Sequence, residues 1–159
     1  MTNISIHDEK QIKELLVANG TQAFRYAQIE NAIYKNFLTD FSLIETLPKK
    51  VRNALVEHAF FQELEVDTEV SSENGQTTKL LFKTKTGEYI EAVIMRHLSG
   101  RNTLCISCQA GCPMACTFCA TGKLGLLKNL EVYEMVEQVL YAMHILHKEG
   151  MTLRNVVFM

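Results

Sequence analysis

Residues 111–122 read Gly-Cys-Pro-Met-Ala-Cys-Thr-Phe-Cys-Ala-Thr-Gly. Within them Cys112, Cys116 and Cys119 stand in a C-x3-C-x2-C run. Three thiolates so close in sequence can converge on one soft metal centre. A cubane iron–sulfur cluster normally takes four cysteine ligands, so three leave one iron open to a substrate or cofactor. Phe118, just before the last cysteine, offers an aromatic face beside that iron. Structural zinc is a second reading, because it takes four ligands and Cys108 is spaced evenly with Cys112 and Cys116. A disulfide framework suits small secreted chains. Here all five cysteines lie between 105 and 119 and cannot staple distant parts of a fold. The spacing by itself leaves cluster and zinc open.

The flanks of this run set the fold around it. Residues 103–108 read as a strand leading into the cysteines, and residues 123–129 as a loop that follows Gly122 and contains Gly125. Residues 131–149 read as a long helix, with Val132, Val136, Val139, Leu140, Met143 and Leu146 at three- and four-residue steps and Gly150 as the stop. Val156, Val157 and Phe158 open a buried strand. Strand, cysteine loop, helix and strand make a βα unit running into its next strand. Such units build parallel sheets and barrels whose sites lie at the carboxyl ends of the strands. One unit cannot bury both faces of its sheet, so the expectation is a catalytic domain that continues beyond residue 159.

Further upstream, residues 63–72 alternate, with Leu64, Val66, Thr68 and Val70 on one face. Asn74-Gly75 is a hairpin signal, and residues 77–85 and 88–96 read as strands joined around Thr86-Gly87. The first sixty residues are helical in pattern. Residues 5–19 form a helix begun by Ser5 and Asp8, with Ile12, Leu15 and Leu16 as its apolar stripe. Residues 22–37 form a second, carrying Phe24, Ile29, Ile33, Tyr34 and Phe37. A short helical piece carries Phe41, Leu43 and Ile44. Pro48 suits the first turn of a helix over 48–59, with Val51, Leu55 and Ala59 inward. The expected division is a helical domain over 1–60, an antiparallel sheet or linker over 61–100, and the incomplete start of a catalytic domain over 101–159.

The 159 residues suffice for one domain or a domain plus part of another. They are 47% hydrophobic and 21% charged, the balance of a globular protein. No apolar run is long enough to span a bilayer, and no membrane partner is expected. Clustered cysteines without an export signal point to a reducing, cytoplasmic setting. A net charge of −2 is not the bulk electrostatics of a nucleic-acid binder, so any RNA contact relies on a local basic patch. Arg25, Lys49, Lys50 and Arg52 are the basic residues for one, and taken singly each reads as solvated helix surface.

Residues 103–125, Thr-Leu-Cys-Ile-Ser-Cys-Gln-Ala-Gly-Cys-Pro-Met-Ala-Cys-Thr-Phe-Cys-Ala-Thr-Gly-Lys-Leu-Gly, with Lys-Asn-Leu at 128–130, resemble the RlmN/Cfr family. Its members are radical S-adenosylmethionine enzymes that methylate adenine in RNA and carry a C-x3-C-x-aromatic-C signature. Phe24-Arg25 with Gln28-Ile29 resembles the family's N-terminal helical domain. Asn155 to Met159 resembles the strand before its cofactor-gripping Gly-Met-Gly-Glu segment. The resemblance implies that Cys112, Cys116 and Cys119 ligate a [4Fe-4S] cluster, with S-adenosyl-L-methionine on the open iron and Phe118 at the cofactor. It implies a resolving role for Cys105, through a disulfide with a methyl-carrying cysteine that this sequence lacks. Read by itself, Cys105 is a small buried strand residue. Glu91 matches a glutamate near the target adenine with a part in proton handling. Read by itself, it is a solvated strand residue.

The implied fold is an α+β N-terminal part, a helical unit and a small antiparallel sheet, leading into the first βα unit of a truncated α/β radical-SAM partial barrel. The implied activity is methylation of carbon 2 of adenine in large-subunit rRNA and in tRNA, with an electron donor such as flavodoxin, in a monomer. On its own the chain is expected to be inactive. Carbon 8 of the rRNA adenine, the Cfr-type activity that gives antibiotic resistance, is the alternative. A zinc-stabilised RNA-binding module and an inactive gene fragment are the alternatives of other classes. Cys108 departs from the family, which usually has serine there.

Overall fold

The computed structural model describes residues 4–38 and 40–159. The chain divides into two compact units, one running to Gln62 and one from Glu63 to Met159.

In the first unit, strand β1 (Ile4–Ser5) pairs in parallel with β2 (Ala59–Phe60), Ile4 against Ala59. Helix α1 (Glu9–Ala18) starts later than the sequence pattern suggests. Ser5 is spent in β1, and Asp8 caps the helix instead, its carboxylate accepting the Gln11 N–H at 3.0 Å. Ile12 and Leu16, four residues apart, are fully buried. The expected second helix takes three pitches in turn: a 3-10 turn at Ala23–Arg25, α2 (Tyr26–Glu30) and a π turn at Asn31–Lys35. Ile29 and Ile33 are buried, whereas Phe24, expected on the same stripe, is exposed. Asp40 caps a 3-10 turn at Phe41–Leu43 by accepting the Ser42 N–H at 2.7 Å. In α3 (Lys49–His58), Pro48 stands at the cap, one place before the first turn, with ψ at 143°. Val51 and Leu55 face inward, and Ala59 leaves the helix to open β2.

The second unit is built on a mixed five-stranded sheet. Strands β3 (Glu65–Ser71), β4 (Thr77–Lys83), β5 (Tyr89–Arg96) and β6 (Asn102–Ile106) are antiparallel neighbours, joined by hairpins at Asn74-Gly75 and Thr86-Gly87. A short ladder joins β7 (Gln109–Gly111) to β8 (Leu126–Asn129). Helix α4 (Val132–Lys148) then carries the chain back to β9 (Leu153–Phe158), which lies parallel to β6. Strands from 61–100 and from 101–159, expected as separate pieces, therefore hydrogen-bond within one sheet.

One face of this sheet carries Leu80 and Phe82 from β4, Ile90, Ala92 and Ile94 from β5, and Leu104 and Ile106 from β6. Ala142 and Leu146 of α4 pack on it, and Tyr141 meets the Phe82 ring edge-on at 5.5 Å. Each buried leucine, isoleucine or phenylalanine among them stabilises the fold by about 1.5–3 kcal/mol. The opposite face carries Lys79, Leu81, Glu91, Val93 and Cys105.

Three expectations are corrected here. A register shift between Val66 and Thr68 breaks the alternation of β3. Val66 is opposite Phe82 on the core face, while Thr68 and Val70 lie opposite Leu81 and Lys79 on the other. The expected loop over 123–129 contains β8, because residues 126–129 find ladder partners in β7. The fully buried seam of α4 is Glu134, Glu137, Gln138, Ala142 and Leu146, not the valine stripe, and Val132 is exposed. Periodicity ranks side chains by hydropathy, whereas these polar groups are buried because each satisfies a backbone or ionic partner. The Glu137 carboxylate accepts the backbone N–H groups of Glu63 and Leu64 at 2.8–2.9 Å. Burial nonetheless pushes its pKa up to about 7.

Candidate cysteine-loop site

The loop that holds the three cysteines opens where β6 ends. Ser107 follows Ile106, and the fully buried Gln138 amide grips both of its backbone groups. The Ser107 N–H donates to Gln138 Oε1, and Gln138 Nε2 donates to the Ser107 carbonyl, each at 3.0 Å. The β7–β8 ladder then pinches the base of the loop, with Gln109 opposite Asn129 and Gly111 opposite Leu126. The Cys112 N–H closes it on the Gly125 carbonyl at 2.9 Å. Only glycine suits position 111, because its φ is +73° and an added Cβ would lie 2.0 Å from the Gly125 oxygen.

Inside the loop, the Cys119 N–H donates to the Cys116 carbonyl at 3.1 Å, which ties two of the three thiol-bearing residues into one turn. Gly122 backs that turn, since a Cβ there would stand 2.9 Å from the Cys116 nitrogen. A backbone N–H from Gly122 also holds the Cys119 thiol below the usual thiol range. All five cysteines are free and partly exposed. Phe118 is 91% exposed.

Among the described residues, no group of three or more His, Cys, Asp or Glu side chains is placed to hold a metal. The structure therefore brings Cys112, Cys116 and Cys119 onto one pinched loop without focusing their sulfurs on a point. The donor set itself fits an iron–sulfur cluster. It consists of three free, accessible thiols, one of them biased toward thiolate, and glycines that let backbone pass closely behind them. Focusing such thiols is the kind of local ordering that metal binding itself supplies. Cys108 stands outside the closure, its sulfur 3.9 Å from the Met159 carbonyl.

Cys105 and Glu91 lie on adjacent strands and on the same face of the sheet, turned away from the α4 side. Cys105 is opposite Val93 on one side and Val157 on the other. Burial raises its thiol pKa. The Glu91 carboxylate pairs with Lys79 Nζ at 3.0 Å. Its backbone carbonyl accepts from Ser107 Oγ at 2.8 Å, which links this face to the root of the cysteine loop. In the helical unit, Arg25 and Arg52 donate to the Thr46 and Ser42 carbonyls, while Lys49 and Lys50 are exposed. Sequence reasoning passed over Gln138 and Glu134. The available signal was a polar residue on the inward side of a helix that directly follows the cysteine loop.

A mixed sheet with a helical crossover, and a three-cysteine loop rooted at the carboxyl end of the crossover's first strand, define an α/β chain suited to thiolate-bound metal. Residues 1–61 match the family described as "Ribosomal RNA large subunit methyltransferase N-terminal domain". The chain is 41% identical over 145 residues to the dual-specificity RNA methyltransferase RlmN 1 of Myxococcus xanthus, covering 91% of this chain and 40% of that protein. It is 37% identical over 150 residues to the ribosomal RNA large subunit methyltransferase Cfr of Shouchella clausii, covering 94% and 42%. A crystal structure of a radical SAM methyltransferase from Sphaerobacter thermophilus superposes with a TM-score of 0.87 at 35% identity, covering 98% of this chain and 47% of that one. The chain is similar to RlmN/Cfr-family proteins along nearly its whole length and spans less than half the length of these relatives.

Proposed function

We propose that this chain carries the helical domain and the cluster loop of a radical S-adenosylmethionine methyltransferase that modifies adenine in RNA, at carbon 2 of large-subunit rRNA and tRNA adenines. The observation that carries the reading is the loop itself: three free cysteines, pinched between β7 and β8 at the carboxyl end of β6. In the proposed roles Cys112, Cys116 and Cys119 hold a [4Fe-4S] cluster, and Phe118 lies against S-adenosyl-L-methionine. When bound there, the cluster would supply the electron for reductive cleavage of this cofactor, received from a donor such as flavodoxin. The fold proposed around it is the first βα unit of a partial α/β barrel, with the Glu91 and Cys105 face turned inward.

On that face Glu91 is the proposed proton acceptor, kept oriented by Lys79 at 3.0 Å. Cys105 is the proposed resolving thiol. Because burial raises its pKa, it stays protonated until a base takes its proton. Lys49 and Lys50 are the exposed cations proposed to meet RNA phosphates.

The test is to purify the chain without oxygen, supply iron and sulfide, and measure bound iron, sulfide and zinc. Iron and sulfide in near-equal amounts, lost in Cys112→Ala and kept in Cys108→Ser, support the radical-enzyme reading. Stoichiometric zinc without iron, lost in Cys108→Ser, sinks it in favour of a zinc-stabilised RNA-binding module. Product analysis with the full-length protein separates 2-methyladenine from the carbon-8 product.

A further inference from the structure

The two legs of the cysteine loop are anchored differently. The incoming leg is fastened to the core through the Gln138 grip on Ser107 and the buried side chain of Ala110. The return leg, β8, is held at its far end by buried Leu130, whose N–H donates to the Cys108 carbonyl at 2.9 Å, but along the strand Leu126, Leu127 and Asn129 are exposed and the ladder partner among the described residues is short β7. Its remaining residue, Lys128, is partly buried and reaches inward. Lys128 Nζ lies 2.9 Å from Glu134 Oε1 in the first turn of α4, and 3.3 Å from Thr86 Oγ1 in the β4–β5 turn. Both receivers are themselves fixed. Glu134 is 1% exposed, and its other oxygen accepts the Glu131 N–H at 2.8 Å. Thr86 donates to the Glu88 carboxylate, which also accepts from Thr84 Oγ1. Gly125, which receives the Cys112 N–H, directly precedes β8, so a shift of β8 moves the base of the loop.

We infer that Lys128 is a positioning residue that clamps the return leg of the cysteine loop to α4 and to the β4–β5 turn, and thereby sets how tightly the three thiols hold metal. The inference rests on the reading of Cys112, Cys116 and Cys119 as ligands. An ion pair between a partly buried lysine and a buried carboxylate is a suitable clamp. Removing one partner strands a buried charge, while neutralising both leaves the fold close to its original stability.

The test therefore uses the double variant Lys128→Met/Glu134→Gln, in which glutamine keeps the capping contact to the Glu131 N–H. Lys128→Arg serves as the rescue. Amide hydrogen exchange on the metal-free full chain is expected to rise by about tenfold in the double variant over residues 109–111 and 126–129, and to stay unchanged over 77–83 and 89–96. Ferrous iron titrated with sulfide is expected to bind the double variant about tenfold more weakly, with Lys128→Arg near the parent in both measurements. Unchanged exchange over 126–129 overturns the clamp. Raised exchange with unaltered iron affinity overturns the link to the thiols. A parent chain that takes up no iron defeats the cluster reading instead, and the exchange comparison still decides the clamp.

Discussion

Replacing Gln138 with methionine tests whether one buried amide roots the cysteine loop. The two side chains are similar in volume, so the exchange removes hydrogen bonds while making little cavity. In the parent, Gln138 is 0% exposed and satisfies both the N–H and the C=O of Ser107, at 3.0 Å each. Methionine leaves both buried groups without that partner, and each unsatisfied group costs about 1–3 kcal/mol. The greater apolarity of methionine offsets part of this, so the net loss is about 2–4 kcal/mol. With a urea slope of about 2 kcal/mol/M, the unfolding midpoint of the second unit falls by about 1–2 M. Urea unfolding read by hydrogen exchange on peptides from residues 77–106 isolates that unit from the helical one. The native-state Ser107 amide is expected to exchange faster in the same variant, because its acceptor is gone. A midpoint lowered by less than about 0.3 M, or an unchanged Ser107 amide, refutes the reasoning.

Other outcomes follow from the same geometry. The Glu137 pKa is raised from 4.5 to about 7, burial being the main cause and the Leu64 and Glu63 N–H groups opposing it. Its folded form thus binds the proton more tightly than the unfolded form. The associated stabilisation is fully present below pH 4.5 and is lost as pH rises through 7, at most about 3 kcal/mol. Denaturant titrations across that window should show the decline, and Glu137→Gln should flatten it; a decline that persists in the variant locates it elsewhere. Gly111→Ala should open the β7–β8 pinch, because its Cβ would meet the Gly125 oxygen, and should weaken iron uptake more than Gly87→Ala, whose Cβ meets open space. Equal iron uptake by the two variants counts against the pinch. Cys119 should react with iodoacetamide faster than Cys105, since a backbone N–H lowers one thiol and burial raises the other. The reverse order, read by mass spectrometry of the modified peptides, contradicts those environments.

Much of the site was legible because its signals are local. The cysteine spacing, the glycines around it and the strand-to-helix order of 103–149 need no knowledge of the rest of the chain. The two hairpins were legible for the same reason, since Asn74-Gly75 and Thr86-Gly87 suit tight reversals wherever they occur. The helix stop at Gly150 is likewise contained within a few residues.

Tertiary structure decided what depends on partners distant in sequence. Strand β8 exists only because β7 offers it a ladder, and the register shift in β3 only because β4 fixes where Val66 and Thr68 sit. Glu134, Glu137 and Gln138 carry no hydrophobic signal, yet they are buried because Lys128, the Glu63 and Leu64 amides and the Ser107 backbone wait for them inside. That Glu91 and Cys105 share a face is a matter of register between β5 and β6, which no single strand contains. Amino-acid order determines the chemistry available and the local turns. Pairing register and the satisfaction of buried polar groups determine which of those side chains meet.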